Sequence, residues 1–103
     1  MMNLWIDRDD LDVRMDGHAD QERNPEGHDL VCACASYAVQ AFAYTGQRYG
    51  HVEADFSHGR AHVRLRPIKR CVEDACRLLV YLEDGMHLIA EKYPEALKIN
   101  VIE

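Results

Sequence analysis

Apolar and polar residues alternate strictly in five short stretches of the chain. The apolar sets are Met2, Leu4, Ile6; Leu11, Val13, Met15; Val52, Ala54, Phe56; Ala61, Val63, Leu65; and Leu97, Ile99, Val101. A period of two is the signature of a strand with one face buried, so each set predicts a β-strand. Arg8, Asp9 and Asp10 separate the first two, and Ser57, His58 and Gly59 separate the next two, gaps short enough for hairpins. Two other stretches have helical character. From Val72, the residues Ala75, Cys76, Leu79, Leu82, Met86, Ile89, Ala90 and Tyr93 recur at spacings of three and four, which predicts an amphipathic helix lying on a sheet. Gly85 inside it is a candidate bend, and Pro94 supplies a stop. The stretch from Leu30 to Tyr44 contains no charged residue, so the pattern predicts a helix buried nearly all round, in the core or against a second subunit.

The order ββαββαβ implies an α+β fold of two layers, one five-stranded sheet with two helices on one face. The other sheet face would then carry Asp12, Arg14, His51, Glu53, Asp55, His62, Arg64 and Arg66, read as a solvated surface. With 103 residues, 48% hydrophobic, the chain is expected to form one domain over 1–103. Its net charge of −6 has the wrong sign for holding nucleic acid through phosphates and suits a basic partner. The stretch from Met1 to Asp10 carries Asp7, Asp9 and Asp10 and has no apolar region of an export signal. Leu30 to Tyr44 is shorter than the roughly 20 residues of a membrane span. A cytoplasmic protein without membrane contact is expected, and in that reducing compartment Cys32, Cys34, Cys71 and Cys76 are read as reduced thiols.

The chemistry concentrates between Met15 and Ser36. If Asp29 is a helix N-cap, a favoured residue there, Cys32 falls in the first turn. Unpaired amides and the positive end of the helix dipole favour a thiolate at that place. An imidazole within reach would complete the activation by taking the thiol proton and returning it to a leaving amine, and His18 is the candidate base. Ser36, one turn beyond Cys32, shares its face. An Asp29 side chain capping the Cys32 amide would occupy a donor that an oxyanion hole could otherwise use. On spacing alone, a helix of Cys, Ala and Ser is more often packed core than a catalytic floor.

These residues nevertheless carry a specific resemblance. Met-Asp-Gly-His-Ala-Asp at 15–20, followed by Gly-His-Asp-Leu-Val-Cys-Ala at 27–33 and a serine four positions past the cysteine, resembles the ribosomal-processing cysteine protease family, Prp. The opening hairpin, long second helix and closing strand extend the resemblance over nearly the whole chain. It implies a cytoplasmic cysteine endopeptidase, homodimeric and without cofactor. Its substrate would be the precursor of a large-subunit ribosomal protein, number twenty-seven, whose N-terminal extension it removes. The resemblance places the nucleophile at Cys32, the general base at His18 and a substrate-pocket hydroxyl at Ser36. Gly17, Asp20, Gly27 and Asp29 match motif positions and become candidate substrate-binding residues, as Asp16 matches without a role. The loop from Ala19 to His28 would close as a lid. Cys34 departs from the family's small Ala or Gly; lying two residues from Cys32, it is expected to face away and serve as a small core residue. Leu30 replaces a commoner Ile, and the stretch from Gln21 to Glu26 is slightly longer than in some relatives.

Two other readings compete. A metal-binding module would use His18, His28, Cys32 and Cys34, residue types that suit zinc, but two cysteines two apart on a helix diverge, and no metal is expected. A ribosome-assembly factor that binds the same client without turnover would not need both members of a dyad. His58 and His62 are read as ordinary surface histidines. Cys71 and Cys76, five apart, form neither a clip nor a metal pair.

Overall fold

The computed structural model describes residues 1–17, 29–57 and 59–102. Its elements are β1 (Met2–Asp7), β2 (Asp12–Asp16), α1 (Leu30–Gly46), β3 (Gly50–Ser57), β4 (Arg60–Pro67), a 3-10 turn (Lys69–Cys71), α2 (Val72–Lys92) and β5 (Leu97–Ile102). The strands form one sheet in the order β3-β4-β2-β1-β5. β1 and β5 run parallel, with Leu4 opposite Ile99, and the other neighbours are antiparallel. This is the α+β arrangement that the alternation and its order of elements predict.

The first hairpin turns on Asp7, whose carboxylate accepts the Asp9 and Asp10 N–H groups at 3.1 Å each. Leu11, expected to open β2, instead has a φ of +49° and completes the turn, while its side chain still reaches the core. The inward residues Leu4, Ile6, Val13, Val63 and Leu65 are at most 1% exposed. Burying a side chain of that size stabilises the fold by about 1.5–3 kcal/mol. Above them lie Val31, Ala35, Val39 and Phe42 of α1 and Ala75, Leu79, Leu82 and Met86 of α2. Gly46 at the end of α1 comes so close to the sheet that a Cβ there would lie 3.2 Å from Val52 and 3.4 Å from Leu65. α2 runs unbroken through Gly85 and ends before Pro94, with the Tyr93 N–H donating to the Ile89 carbonyl.

Several expectations are corrected. α1 is not buried all round within the chain: Tyr37 and Tyr44 are 74% and 75% exposed, because the sheet and α2 cover only its core stripe, so enclosing that side would take a second subunit. Cys34 is exposed rather than a core residue, since the stripe through Val31 and Ala35 turns it to solvent. Cys76 is exposed too; it stands about 100° past Ala75, beyond the buried stripe of α2. Ala54 and Phe56 lie on the inward face of β3 but stay exposed, because β3 is the sheet edge and α1 packs against its other end at Val52. Glu83 is buried on α2, where Arg8 Nη2 donates to its Oε1 at 2.6 Å and ties the first hairpin to the helix layer.

The outer sheet face also differs from a uniformly solvated surface. Asp12 is 9% exposed there. His62 Nε2 stands 2.9 Å from its Oδ2, and Arg64 Nε donates to the same oxygen at 2.9 Å, so these side chains fold over the carboxylate. His62 is therefore not an ordinary surface histidine; His58 lies outside the described residues. Burial opposes the charge on Asp12, and the hydrogen bonds from His62 and Arg64 overcome it, leaving the carboxyl below its ordinary 3.8.

Candidate active site

Asp29 has extended backbone (φ −81°, ψ 106°), which aims its side chain back at the first turn of α1. The Val31 and Cys32 N–H groups donate to its Oδ1 at 3.0 and 3.1 Å, and the Ala33 N–H donates to its carbonyl at 3.0 Å. The cap expected at Asp29 is thus formed, and Cys32 is the third helical residue, half-buried. The same cap commits the Cys32 amide, so that donor serves an oxyanion only by giving up its bond to Asp29.

Cys32 opens on a cleft of about 270 Å³. One wall is the face of α1 that carries Cys32, Ser36 and Gln40, four residues apart and so one above the other. The floor is a row across three strands, Met15 of β2, Ala61 of β4 and Phe56 of β3, directly opposite one another in register. Small Ala61 between two larger side chains makes the floor a notch. Arg60 lies at the rim, its Nε 3.6 Å from Asp16 across an exposed pair.

Gly17 closes the end of β2 at this cleft, with a φ of +96° and its N–H donating to the Gly59 carbonyl at 2.9 Å. A Cβ there would stand 2.6 Å from the Met1 carbonyl oxygen, so the position needs glycine on two grounds. Among the sequence candidates, the structure brings Gly17, Cys32 and Ser36 to one cleft, with Asp29 supporting the helix end. His18, Asp20, Gly27, His28 and the candidate lid 19–28 lie outside the described residues. Gln40, Phe56, Ala61 and Arg60 were not singled out by sequence reasoning. For Gln40 the signal was available, eight residues past Cys32 on one helical face; for the others it lay in strand register.

The four cysteines form no disulfide. No helix among the described residues is long and apolar enough to cross a membrane.

Comparison with known proteins adds to this geometry. The family model described as cysteine protease Prp matches residues 2–98. A crystal structure of the essential ribosomal processing protease Prp from S. aureus, in complex with a covalently linked product peptide, is 26% identical, with a TM-score of 0.79 and coverage of 99% of this chain and 100% of that one. The same protease with a substrate peptide gives 25% identity, a TM-score of 0.75 and the same coverage. SMU.848 from Streptococcus mutans, at 18% identity and a TM-score of 0.67 over 98% of this chain and 91% of that one, shares the fold. No curated protein matches the chain.

Proposed function

We propose, from the premise that this chain belongs to the cysteine protease Prp family and is a cysteine endopeptidase, that it trims a ribosomal protein precursor in the cytoplasm during ribosome maturation. The substrate is the N-terminal extension of large-subunit ribosomal protein number twenty-seven, and a single domain over 1–103 does the work. The S. aureus relatives, a ribosomal processing protease seen with substrate and product peptides, support this reading. A net charge of −6 suits a basic client.

The observation that carries it is the convergence of Cys32, at a capped helix start, with Gly17, the residue that immediately precedes His18, on one cleft. In the proposed reaction the Cys32 thiolate attacks the scissile carbonyl and forms a tetrahedral intermediate. His18, carrying the thiol proton, gives it to the departing amine as the peptide bond breaks. Water, deprotonated by His18, then hydrolyses the thioester and releases the acid product. Ser36 offers a hydroxyl to the bound peptide one turn along the wall. Asp29 holds the helix end, and Gly17 ends β2 at the cleft. Asp20 and Gly27 are kept as candidate substrate contacts on the motif alone. Replacing Cys32 by Ala is expected to abolish cleavage of the matching precursor, followed by mass spectrometry, while the circular dichroism spectrum stays that of the parent; undiminished cleavage refutes the assignment.

We also propose a homodimer through the helix layer. Tyr37 and Tyr81 are 74% and 80% exposed and flank a groove between α1 and α2 of about 280 Å³. Ala38 and Ala41 in the same groove permit a second helix to approach closely. Replacing Tyr37 by Asp should shift sedimentation toward monomer; a parent protein that stays monomeric at high concentration excludes the dimer.

A further inference from the structure

We infer that Arg48, Arg66, Lys69 and Arg70 form a basic pole, at the end of the molecule away from the cleft, that docks the enzyme on RNA. The surface itself stands without the assignment of Cys32. Its use, bringing the cleft to a ribosomal precursor already seated on RNA, rests on the proposed function.

Two turns bring these side chains together. After α1 the Arg48 N–H donates to the Thr45 carbonyl and the Tyr49 N–H to the Gly46 carbonyl, both at 2.9 Å, so the chain turns at once into β3. The Ile68 N–H donates to the Tyr49 carbonyl at 2.9 Å, which carries the β3–β4 ladder one step past the Gly50–Pro67 pair. Arg48 and Lys69, next in line on either side, therefore leave the ladder as neighbours, since paired strands lie about 4.8 Å apart. Arg70 follows in the 3-10 turn, and Arg66 stands on β4 opposite His51. All five side chains are exposed.

The local charge is not cancelled. Glu73 and Asp74, the nearest acids along the chain to Lys69 and Arg70, pair with Arg77 at 3.8 and 3.3 Å. Arg66 shares an exposed pair with Glu53 at 3.3 Å. Among the described residues Arg48, Lys69 and Arg70 form no ion pair. The pole holds four of the chain's twelve Lys and Arg, and the other eight face eighteen Asp and Glu, a balance of −10. A polyanion repels such a body in every other orientation, so this end sets how the enzyme docks. The net charge that disfavours nucleic acid over the molecule as a whole thus selects one face for it. Cys32 lies fourteen residues before Gly46 on α1, about 21 Å at 1.5 Å per residue. Docking through the pole therefore holds the cleft clear of the RNA, within reach of a segment that projects from it.

The test follows the fluorescence anisotropy of a labelled oligouridylate of about 20 residues with the full chain. Three unpaired cations on three phosphates give a salt slope of about −2, so binding should weaken about 80-fold between about 25 and 200 mM NaCl. The triple variant Arg48→Ala, Lys69→Ala, Arg70→Ala should bind at least about tenfold more weakly at the lower salt, with a slope near zero. A control triple variant, Arg14→Ala, Lys92→Ala, Lys98→Ala, removes three exposed cations elsewhere and has the same net charge, so it should stay within about threefold of the parent. Both variants should cleave a free peptide spanning the precursor junction at the parent's kcat/KM. Arg48→Glu alone should weaken RNA binding in the same direction if the first triple variant fails to fold. Equal losses in the two triple variants, a parent slope shallower than about −1, or phosphatidylserine vesicles bound as tightly as the RNA overturn the inference. RNA binding that follows this pattern, in a protein that cleaves no ribosomal precursor, supports the pole and refutes the proposed function.

Discussion

Replacing Asp29 separates two roles that the structure combines in one carboxylate. Asp29→Ala removes the acceptor of two helix amides, those of Val31 and Cys32 at 3.0 and 3.1 Å. Loss of an N-cap costs about 1 kcal/mol, within roughly 0.5–2. Unfolding entropy of about 2.1 cal/mol/K per residue over 103 residues converts this to a drop in Tm of about 4–5 °C. Asp29→Asn retains the acceptor oxygen and loses only the charge, so a cost of a few tenths of a kcal/mol is expected, from the weakened interaction with the helix dipole. The sulfur responds in a different order. Asn in place of Asp removes a negative charge beside Cys32, which should move the midpoint of its alkylation by iodoacetamide to lower pH. Because Cys34 and Cys76 are exposed and also react, the modified residue must be identified by peptide mapping. Urea denaturation gives the first quantity and alkylation rate against pH the second. An Asn variant as unstable as the Ala variant refutes the geometric role of the cap, and an unmoved alkylation profile refutes the electrostatic one.

The remaining tests probe the scaffold. Glu83→Ala breaks a pair in which Glu83 is 8% and Arg8 45% exposed. Arg8 can turn to water, so the expected loss is about 2 kcal/mol, below the 3–5 of a fully buried pair, or about 9 °C in Tm; a loss under about 0.5 kcal/mol would show that the bridge is ornamental. Asp12→Asn should cost about 1–2 kcal/mol at pH 7 through the weakened bonds from His62 and Arg64. Because the folded carboxyl titrates below its ordinary 3.8, its contribution is complete above that value and fades as pH falls through the folded pKa. The stability gap between parent and variant, measured by denaturation from pH 5 down to pH 2, should therefore close in the acid range. A gap that stays open at pH 2 contradicts the assignment.

Alternation made the inner faces of β1, β2 and β4 readable, because a strand with one wet face can satisfy packing only with period two, whereas on the edge strand β5 only Leu97 of its set is buried and Val101 is exposed. It could not show that β3 is an edge whose last turns outrun the helices, so Phe56 was read as core rather than as a cleft wall. The cap at Asp29 and the shared face of Cys32 and Ser36 were legible because they are local. The burial of Asp12 and Glu83 was not: each depends on a cation from elsewhere in the chain, Arg64 and Arg8 respectively. The small residues of α1 misled for the opposite reason. A helix without charge is compatible with a fully enclosed position, and only the layer geometry reveals that Tyr37, Tyr44 and Cys34 lie outside. The row of Met15, Ala61 and Phe56 arises from pairing registers, which composition does not encode.

The parallel partnership of β1 with β5 carries a consequence for biosynthesis. Met2, which lines the cleft, donates its N–H to the Ala96 carbonyl at 2.8 Å, just before β5 begins. A nascent chain that has not yet emitted residues 96–102 leaves β1 with an open flank and the cleft without its settled floor. β1 therefore gains its second neighbour only once residues 97–102 are available, and the strand that brings Met2 to the cleft depends on both ends of the 2–102 stretch.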